Sequence, residues 1–262
     1  MGISFPVTAN LPEKLPSFSF AIPSSFSYSG GQAKDYPTTK GQSSIKPSIF
    51  RWNKGRIAAP SFDEVRNRYQ VLVCAERALL HVWKDRKLGN LSRLERHRVL
   101  RWAILQHYEV CGTPLLDVTH SLRISASFAT KDAIRRGRQE AFVMVLAIPQ
   151  LSGAVTVTAE AELQAIRLSS ICPPEAARPH LQEGYLLGEY PDLADPEQKG
   201  RVPHYEVDFG RRLLAKFRLH PQTFWGTDPA FPQIMEEALL PQTDDPVEDA
   251  LAPLRSQFGH TP

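Results

Sequence analysis

The residues from Ala141 to Ile148 form an unbroken apolar run that includes Phe142, Val143 and Val145. Charged residues precede this run and Pro149 follows it. A short, continuous apolar stretch rich in β-branched and aromatic residues is typical of a strand buried within a sheet. We therefore predict a central strand here, with other parts of the chain packed against it.

Two amphipathic helices are predicted before this strand. Ser61-Phe62-Asp63-Glu64 and Ser92-Arg93-Leu94-Glu95 both match the capping box, in which serine and glutamate side chains satisfy free N–H groups at a helix start. Apolar residues at helical spacing follow the first box as far as Trp83, and the second pattern continues to Tyr108. Together with the predicted strands, these helices indicate an α+β fold, a single mixed domain with a small central sheet flanked by helices.

The segment from Gln106 to Ala129 is the predicted functional site. Gly112 and Pro114 end the preceding helix, because glycine permits positive φ and proline cannot continue a helix. The residues after Pro114 predict a short strand that leads into another helix, and polar groups at such a junction can contact a ligand. Asp117 fits two roles here, a cap of that helix or a carboxylate facing a ligand, and the sequence leaves both open.

Proline-rich segments flank the predicted domain. Residues 1–25 are rich in Pro and Ser, and we expect them to be an extended leader. Residues 241–262 contain further prolines and the acidic pair Asp244-Asp245, and we expect a flexible tail. Residues 26–240 are left as the folded domain.

The motif content excludes several kinds of site. The eight histidines include no His-x-x-x-His pair and the three cysteines no Cys-x-x-Cys spacing, so neither a metal site nor a disulfide framework is predicted. No Gly-x-Gly-x-x-Gly or Walker-type loop occurs, which leaves a Rossmann or P-loop nucleotide site unsupported. Cys111 lies near His107 and Asp117, but no glycine-rich oxyanion nest follows it, so we do not expect a cysteine nucleophile.

Charge and hydropathy indicate an ordinary soluble protein. The net charge of +3 is small, and basic residues cluster only at Arg135-Arg136-Gly137-Arg138 and Arg211-Arg212, so nucleic-acid binding is the weakest functional hypothesis. No window reaches the ~18 apolar residues that span a bilayer, and we expect no membrane partner. We expect a cytoplasmic protein, since an odd number of cysteines fits a reducing compartment.

The same segments resemble the FRG domain family. The central signature of this family places Gln-His-Tyr-Gly before Pro-Thr-Arg-Leu-Leu-Asp and an Ala-x-x-Phe-Ala helix. It is similar here to Gln106-His107-Tyr108, Gly112-Thr113-Pro114, Leu115-Leu116-Asp117, Thr119, Ala126 and Phe128-Ala129. Flanking family elements resemble Pro47-Ser48-Ile49-Phe50-Arg51, Pro173-Pro174, Arg178, Gln182, Gly184 and Tyr185. The resemblance covers about residues 26–240.

Two arginines of the family pattern are missing from this chain. Tyr28-Ser29-Gly30 stands where the family has Phe-Arg-Gly, and Leu115 follows Thr113-Pro114 where relatives have Pro-Thr-Arg. If those arginines hold an anion in relatives, this chain would hold it more weakly.

The order of these elements is similar, more distantly, to the arginine, Ser-Thr-Ser and Glu-x-Glu strands of ADP-ribosyltransferases, in which a glutamate stabilises oxocarbenium charge. By this analogy the catalytic carboxylates are Asp117 and Glu183, although Gly184 occupies the position of the glutamate itself. The ligand-binding residues implied by the resemblance are Arg51, His107, Tyr108, Thr113, Thr119 and Gln182.

Three functional hypotheses result, the first two from the resemblance and the third from the basic clusters. The first is recognition of a small nucleotide ligand similar to NAD, extended to ADP-ribosyltransferase-like or NAD-cleaving activity. The second is a non-catalytic module that binds a ligand or a protein in the same pocket, which the missing arginines and Gly184 favour. The third is nucleic-acid binding. The resemblance leaves open whether the chain is an enzyme.

Overall fold

The computed structural model describes residues 18–21, 61–135, 137–148, 151–190, 212–225 and 245–259. Within these ranges the strands are β1 (Phe18–Ala21), β2 (Leu116–Thr119), β3 (Ala141–Ala147), β4 (Val155–Thr158), β5 (Leu163–Arg167), β6 (Gly184–Glu189) and β7 (Leu213–Leu219). The helices are α1 (Phe62–Asp85), α2 (Leu91–Arg96), α3 (Arg98–His107), α4 (Leu122–Arg135), α5 (Ala177–Leu181), α6 (Pro221–Trp225) and α7 (Pro246–Phe258). The predicted mixed α+β fold is confirmed.

The described strands form one antiparallel sheet in the order β4-β5-β6-β2-β1-β3-β7. With seven strands, this sheet is larger than the small sheet that we predicted from the sequence. The apolar run does form a buried strand, β3, but it lies next to the outer strand β7 and not at the middle of the order. Strands β2 and β6 carry residues of the predicted site, and in this pair Thr119 lies opposite Gly184.

The predicted leader contributes a strand to this sheet. β1 pairs with β2 on one side and β3 on the other, with Phe20 opposite both Thr119 and Val145. The four residues of β1 include no proline, so each of them retains an N–H group for the sheet. The prediction of a leader outside the fold is therefore wrong for residues 18–21, because backbone pairing with β2 and β3 holds them.

Helices α1 and α3 pack together around a buried carboxylate. The capping box at Ser61 and Glu64 is present as predicted, with both reciprocal hydrogen bonds formed. Further along α1, Glu76 is 5% exposed and accepts hydrogen bonds from Trp102 Nε1 at 2.7 Å, from Arg98 Nε at 2.8 Å and from Arg101 Nε at 3.0 Å. This cluster fixes the position of α3, whose end carries the predicted site.

The second predicted helix is broken into two. His97 has φ −118° and ψ 105°, an extended conformation that separates α2 from α3. The predicted capping box at Ser92 is wrong, because α2 begins at Leu91 after Asn90, and the Asn90 side chain makes no capping hydrogen bond. Arg98 and Arg101 on α3 still reach Glu76 on α1.

The predicted flexible tail is wrong over residues 245–259, which form a docked helix. Asp245 is fully buried and caps α7, since its carboxylate accepts hydrogen bonds from the N–H groups of Val247 and Glu248. Val247, Leu251 and Leu254 lie at helical spacing and enter the same core as α1. The prediction took the prolines of this segment as a sign of irregular chain. Pro246, however, lies at the first helical position, where proline favours the start of a helix.

We predict that Glu76→Ala destabilises the protein by about 3 kcal/mol or more, because it leaves the half-buried guanidinium groups of Arg98 and Arg101 without their carboxylate. Urea unfolding followed by circular dichroism measures the change. Glu95→Ala, at an exposed position on α2, is the control and should change the unfolding free energy by less than about 0.5 kcal/mol. Equal effects of the two substitutions would contradict this account.

We predict that Asp245→Ala destabilises the protein by about 2 kcal/mol or more, because the substitution removes a helix cap and leaves buried donors unpaired. Those donors include the Tyr108 hydroxyl, 3.1 Å from Asp245 Oδ2, and the Arg178 backbone N–H at 3.0 Å. Asp249→Ala on the exposed side of α7 is the matched control. An unchanged thermal midpoint for Asp245→Ala would show that α7 does not depend on this carboxylate.

Candidate functional site

A pocket lies where the end of α3, strand β2 and the start of β6 meet. Its void measures about 400 Å³, including the part open to solvent. The lining residues come from the predicted site segment, from α4 and from the later Gln-x-Gly segment. They are Gln106, His107, Glu109, Asp117, Val118, Phe128, Arg178, Gln182 and Gly184. The structure therefore brings together two sequence segments that lie far apart along the chain.

The carboxylate of Asp117 is held in this pocket by a buried amide. Gln106 Nε2 donates to Asp117 Oδ2 at 2.8 Å, and Gln106 Oε1 accepts from the backbone N–H and the hydroxyl of Thr113 at 3.3 Å and 3.1 Å. Both ends of the amide are thus engaged, which fixes its orientation. Asp117 itself is 7% exposed and lies within β2. It is not the cap of α4, because that helix begins at Leu122 and the preceding Ser121 accepts the N–H of Ile124.

The imidazole of His107 lies beside this carboxylate. Its Nδ1 is 3.9 Å from Asp117 Oδ1, a distance too long for a hydrogen bond, and the residue is 5% exposed. Burial lowers the pKa of His107 more than the neighbouring Asp117 raises it, so the ring is neutral at neutral pH. Within the described part of the chain, His107 Nε2 is buried and has no hydrogen-bond partner. A buried ring nitrogen in this state calls for a ligand or a water.

Gly184 gives the pocket part of its space. A Cβ atom at this position would lie 3.4 Å from His107 Cε1 and 2.8 Å from Leu168 Cδ1. A larger side chain would therefore press on the imidazole and on the buried leucine. The glycine that replaces the glutamate expected from ADP-ribosyltransferases thus opens room next to His107.

Three of the predicted ligand-binding residues are buried in supporting positions and do not line the pocket. Tyr108 donates its hydroxyl to Asp245, and Thr113 binds Gln106 and the N–H of Leu115. The hydroxyl of Thr119 donates to the Gln182 carbonyl at 3.0 Å and accepts the N–H of Ser121 at 3.1 Å. Each of these three residues is fully buried, and none is among the lining residues.

The two predicted catalytic carboxylates do not meet. Asp117 lines the pocket, whereas Glu183 is exposed on the turn before β6, has φ +46° and is not a lining residue. This turn directs Glu183 to the surface and leaves Gln182, 5% exposed, against the pocket. The predicted ligand contact Arg51 and the Tyr28-Ser29-Gly30 segment lie outside the described residues.

Arg178 and Glu109 are pocket residues that the sequence analysis did not assign. Arg178 is 6% exposed; its Nη2 binds Glu109 at 2.9 Å, its Nη1 binds Glu248 at 3.4 Å, and its guanidinium lies over the Tyr108 ring. Its Nε, among the described residues, has no hydrogen-bond partner. The signal that could have found Arg178 was its place in the family pattern. Glu109 carried no such signal, because its role depends on a turn with φ +57°.

The described residues were also compared with the requirements of a metal site, a cysteine nucleophile, a nucleic-acid surface and a membrane span. No group of three or more His, Cys, Asp or Glu residues in them could hold a metal ion. Burial raises the pKa of the Cys111 thiol to about 12, which opposes formation of a thiolate nucleophile. In the basic clusters, Arg212 donates to the Ala161 carbonyl, and Arg136 and Arg211 lie outside the described residues. None of the described helices is both long and apolar enough to cross a membrane.

We predict that the unfolding free energy of the His107→Gln variant falls less than that of the wild type when the pH is lowered from 7 to 5. The folded-state pKa of His107 is lowered, so as pH falls through about 6.5 the unfolded chain binds a proton that the folded chain does not. This group lowers the unfolding free energy by up to about 1.4 kcal/mol per pH unit in the wild type. Chemical unfolding at several pH values measures the slope. His81→Gln, at an exposed position, should keep the wild-type slope, and an unchanged slope in His107→Gln would contradict the assignment.

Comparison with known proteins supplies a family. No curated protein and no solved structure is significantly similar to this chain. The family model described as the FRG domain matches residues 38–137, which include α1, α2, α3, β2 and α4. The match contains Gln106, His107 and Asp117, which line the pocket. The predicted resemblance to the FRG domain family is confirmed over residues 38–137.

Proposed function

We propose that this FRG domain binds a nucleotide of the NAD type in the pocket beside Asp117. The observation that carries the proposal is the unpartnered Nε2 of His107, a nitrogen buried in a pocket that Gln106, Asp117 and Gln182 also line. A concave site with a few convergent polar groups and a perturbed pKa is the usual form of a small-molecule site. Phe128 adds an apolar surface against which a flat ring can lie.

Catalysis on the bound nucleotide is the extension of this proposal. In NAD cleavage or ADP-ribosyl transfer, the bond between ribose C1′ and nicotinamide breaks, nicotinamide leaves with the bonding electron pair, and an acceptor oxygen or nitrogen adds to C1′. Asp117, a buried carboxylate held by Gln106, would stabilise the positive charge that develops on the ribose. His107 Nε2 would accept the proton that the acceptor loses.

A non-catalytic binding module is the second candidate function. It is favoured by the exposed position of Glu183 and by Gly184, which leave Asp117 without the second acid that the ADP-ribosyltransferase analogy requires. Glu109 is the other carboxylate of the lining, and it is bound to Arg178. In this case the pocket would hold the nucleotide without cleaving it.

We predict that purified protein binds NAD in isothermal titration calorimetry and that Asp117→Ala weakens binding at least about 10-fold, the loss typical of a hydrogen bond to a charged group. Glu183→Ala is the matched control, because it removes a nearby carboxylate that lies outside the pocket, and it should leave the Kd unchanged. Absence of heat with NAD, or equal effects of the two substitutions, would overturn the proposed function.

Release of nicotinamide from NAD separates the two candidates. Release by the wild type that Asp117→Ala abolishes and Glu183→Ala retains would identify an enzyme. Binding without release above that of heat-denatured protein, with a pool of protein acceptors supplied, would identify a binding module. Thermal unfolding of each variant shows whether a loss reflects the pocket or the fold.

A further inference from the structure

The guanidinium of Arg178 is buried but only partly satisfied. Its Nη1 is 3.4 Å from Glu248, which also binds Arg255 at 2.6 Å, and its Nη2 binds Glu109 at 2.9 Å. Its Nε is buried and, within the described part of the chain, has no hydrogen-bond partner. A buried donor in this state calls for an acceptor from a ligand or a water. Arg178 lines the pocket and lies on α5, outside the segments that the ADP-ribosyltransferase analogy matches.

The Nε and Nη2 atoms of Arg178 are on the same edge of the planar guanidinium. Two parallel N–H groups on such an edge match two oxygens of one phosphate or carboxylate, and this paired arrangement is stronger than a single bond. Glu109 places one oxygen, Oε1, on Nη2 and leaves Nε without a bond. The edge is therefore half used, and an oxyanion that reached both nitrogens would bind it better than Glu109 does.

Glu109 can leave this edge without a change in the helix that carries it. Its side chain is 56% exposed, compared with 8% for that of Arg178, so water can replace its contacts and screens its charge. Its backbone is fixed separately, because the Val110 N–H donates to the Leu105 carbonyl at 2.9 Å across the end of α3. Rotation of the Glu109 side chain alone would therefore uncover the edge of Arg178.

Exchange of Glu109 for one phosphate group of a dinucleotide leaves the charge of the pocket unchanged, since each carries one negative charge. His107 is neutral, because burial lowers its pKa. Asp117, the other carboxylate of the lining, and Lys131, whose ammonium lies 5.6 Å from the centre of the Phe128 ring, carry opposite charges. The phosphate would thus meet the same balance of charges as the Glu109 carboxylate does.

We propose that Arg178 binds a phosphate group of the nucleotide through its Nε and Nη2 atoms, and that Glu109 is an internal competitor that leaves when the phosphate binds. This inference rests on the proposed function and adds the residue that holds the phosphate and the carboxylate that limits access to it. Removing the charge of Glu109 should therefore strengthen binding, the opposite of the effect expected for a residue that holds a ligand.

Isothermal titration calorimetry at one fixed ionic strength compares the wild type with Glu109→Gln, which keeps the shape of the side chain and removes its charge. The variant should bind NAD and inorganic pyrophosphate about 3- to 10-fold more tightly than the wild type, because a neutral amide competes less well for Arg178. Nicotinamide riboside and adenosine, the two halves of NAD without phosphate, should show no such gain.

Unchanged or weaker NAD binding by Glu109→Gln overturns the inference and leaves nucleotide binding intact. An equal gain for the two nucleosides also overturns it, since Glu109 would then only fill space. Tighter binding of pyrophosphate without any binding of NAD overturns the nucleotide as the source of the phosphate, and with it the proposed function. Binding of none of the four compounds overturns both.

Glu183→Gln is the matched control, because Glu183 is also an exposed glutamate with positive φ, at +46°, but lies outside the lining. It should leave all affinities unchanged, and a gain equal to that of Glu109→Gln would reveal a general effect of charge and overturn the inference.

Arg178→Lys assigns the phosphate to this residue. Lysine keeps a positive charge beside Glu248 but has no planar edge, so NAD and pyrophosphate should bind at least about 10-fold more weakly. Adding Glu109→Gln to this variant should give no gain, and a gain as large as in the wild-type background would overturn the assignment. If Arg178→Lys does not fold, the comparison of the wild type with Glu109→Gln and Glu183→Gln still decides the inference.

Discussion

The hydrogen bond from Gln106 to Asp117 is the interaction on which the site depends, because it joins the last turn of α3 to the strand β2. The same glutamine accepts two hydrogen bonds from Thr113, so a single buried amide connects the helix, the turn and the strand. These groups are buried, so water cannot replace a lost partner. Leaving one such polar group unpaired lowers the unfolding free energy by about 1–3 kcal/mol. The carboxylate is therefore held in one orientation before any ligand arrives, which lowers the entropy lost on binding.

A second set of buried polar contacts ties the far end of the chain to this pocket. Asp245 accepts hydrogen bonds from Tyr108 and from the backbone of Arg178, and Arg255 Nε donates to the Tyr108 carbonyl at 3.0 Å. Glu248 lies between the guanidinium groups of Arg178 and Arg255. Buried charges of this kind contribute little net stability as a set, but removing one member leaves the others unpaired. Helix α7 is thus part of the wall behind the pocket, and its loss would disturb Tyr108 and Arg178 together.

The local elements were largely predictable where a short-range rule governs them. The capping box at Ser61 and the apolar run of β3 follow from contacts between residues near in sequence, and both are present. The break at His97 was not predictable, because the apolar period continues through it and contacts with α1 decide the geometry. Strand β1 and helix α7 were missed for a related reason. Prolines around them indicate an irregular chain, whereas the sheet and the core supply the partners that order them.

The sequence by itself determined the α+β class, the resemblance to the FRG domain and the segment that carries Gln106, His107 and Asp117, since these depend on residue identity and local periodicity. Only the tertiary structure decided which side chains face the pocket. It places Tyr108 and Thr119 behind the wall, Glu183 on the surface, and Arg178 in the lining. The physical reason is that the direction of each side chain depends on the pairing of β2 with β6, which joins residues far apart in sequence, and on the positive-φ turns at Glu109 and Glu183.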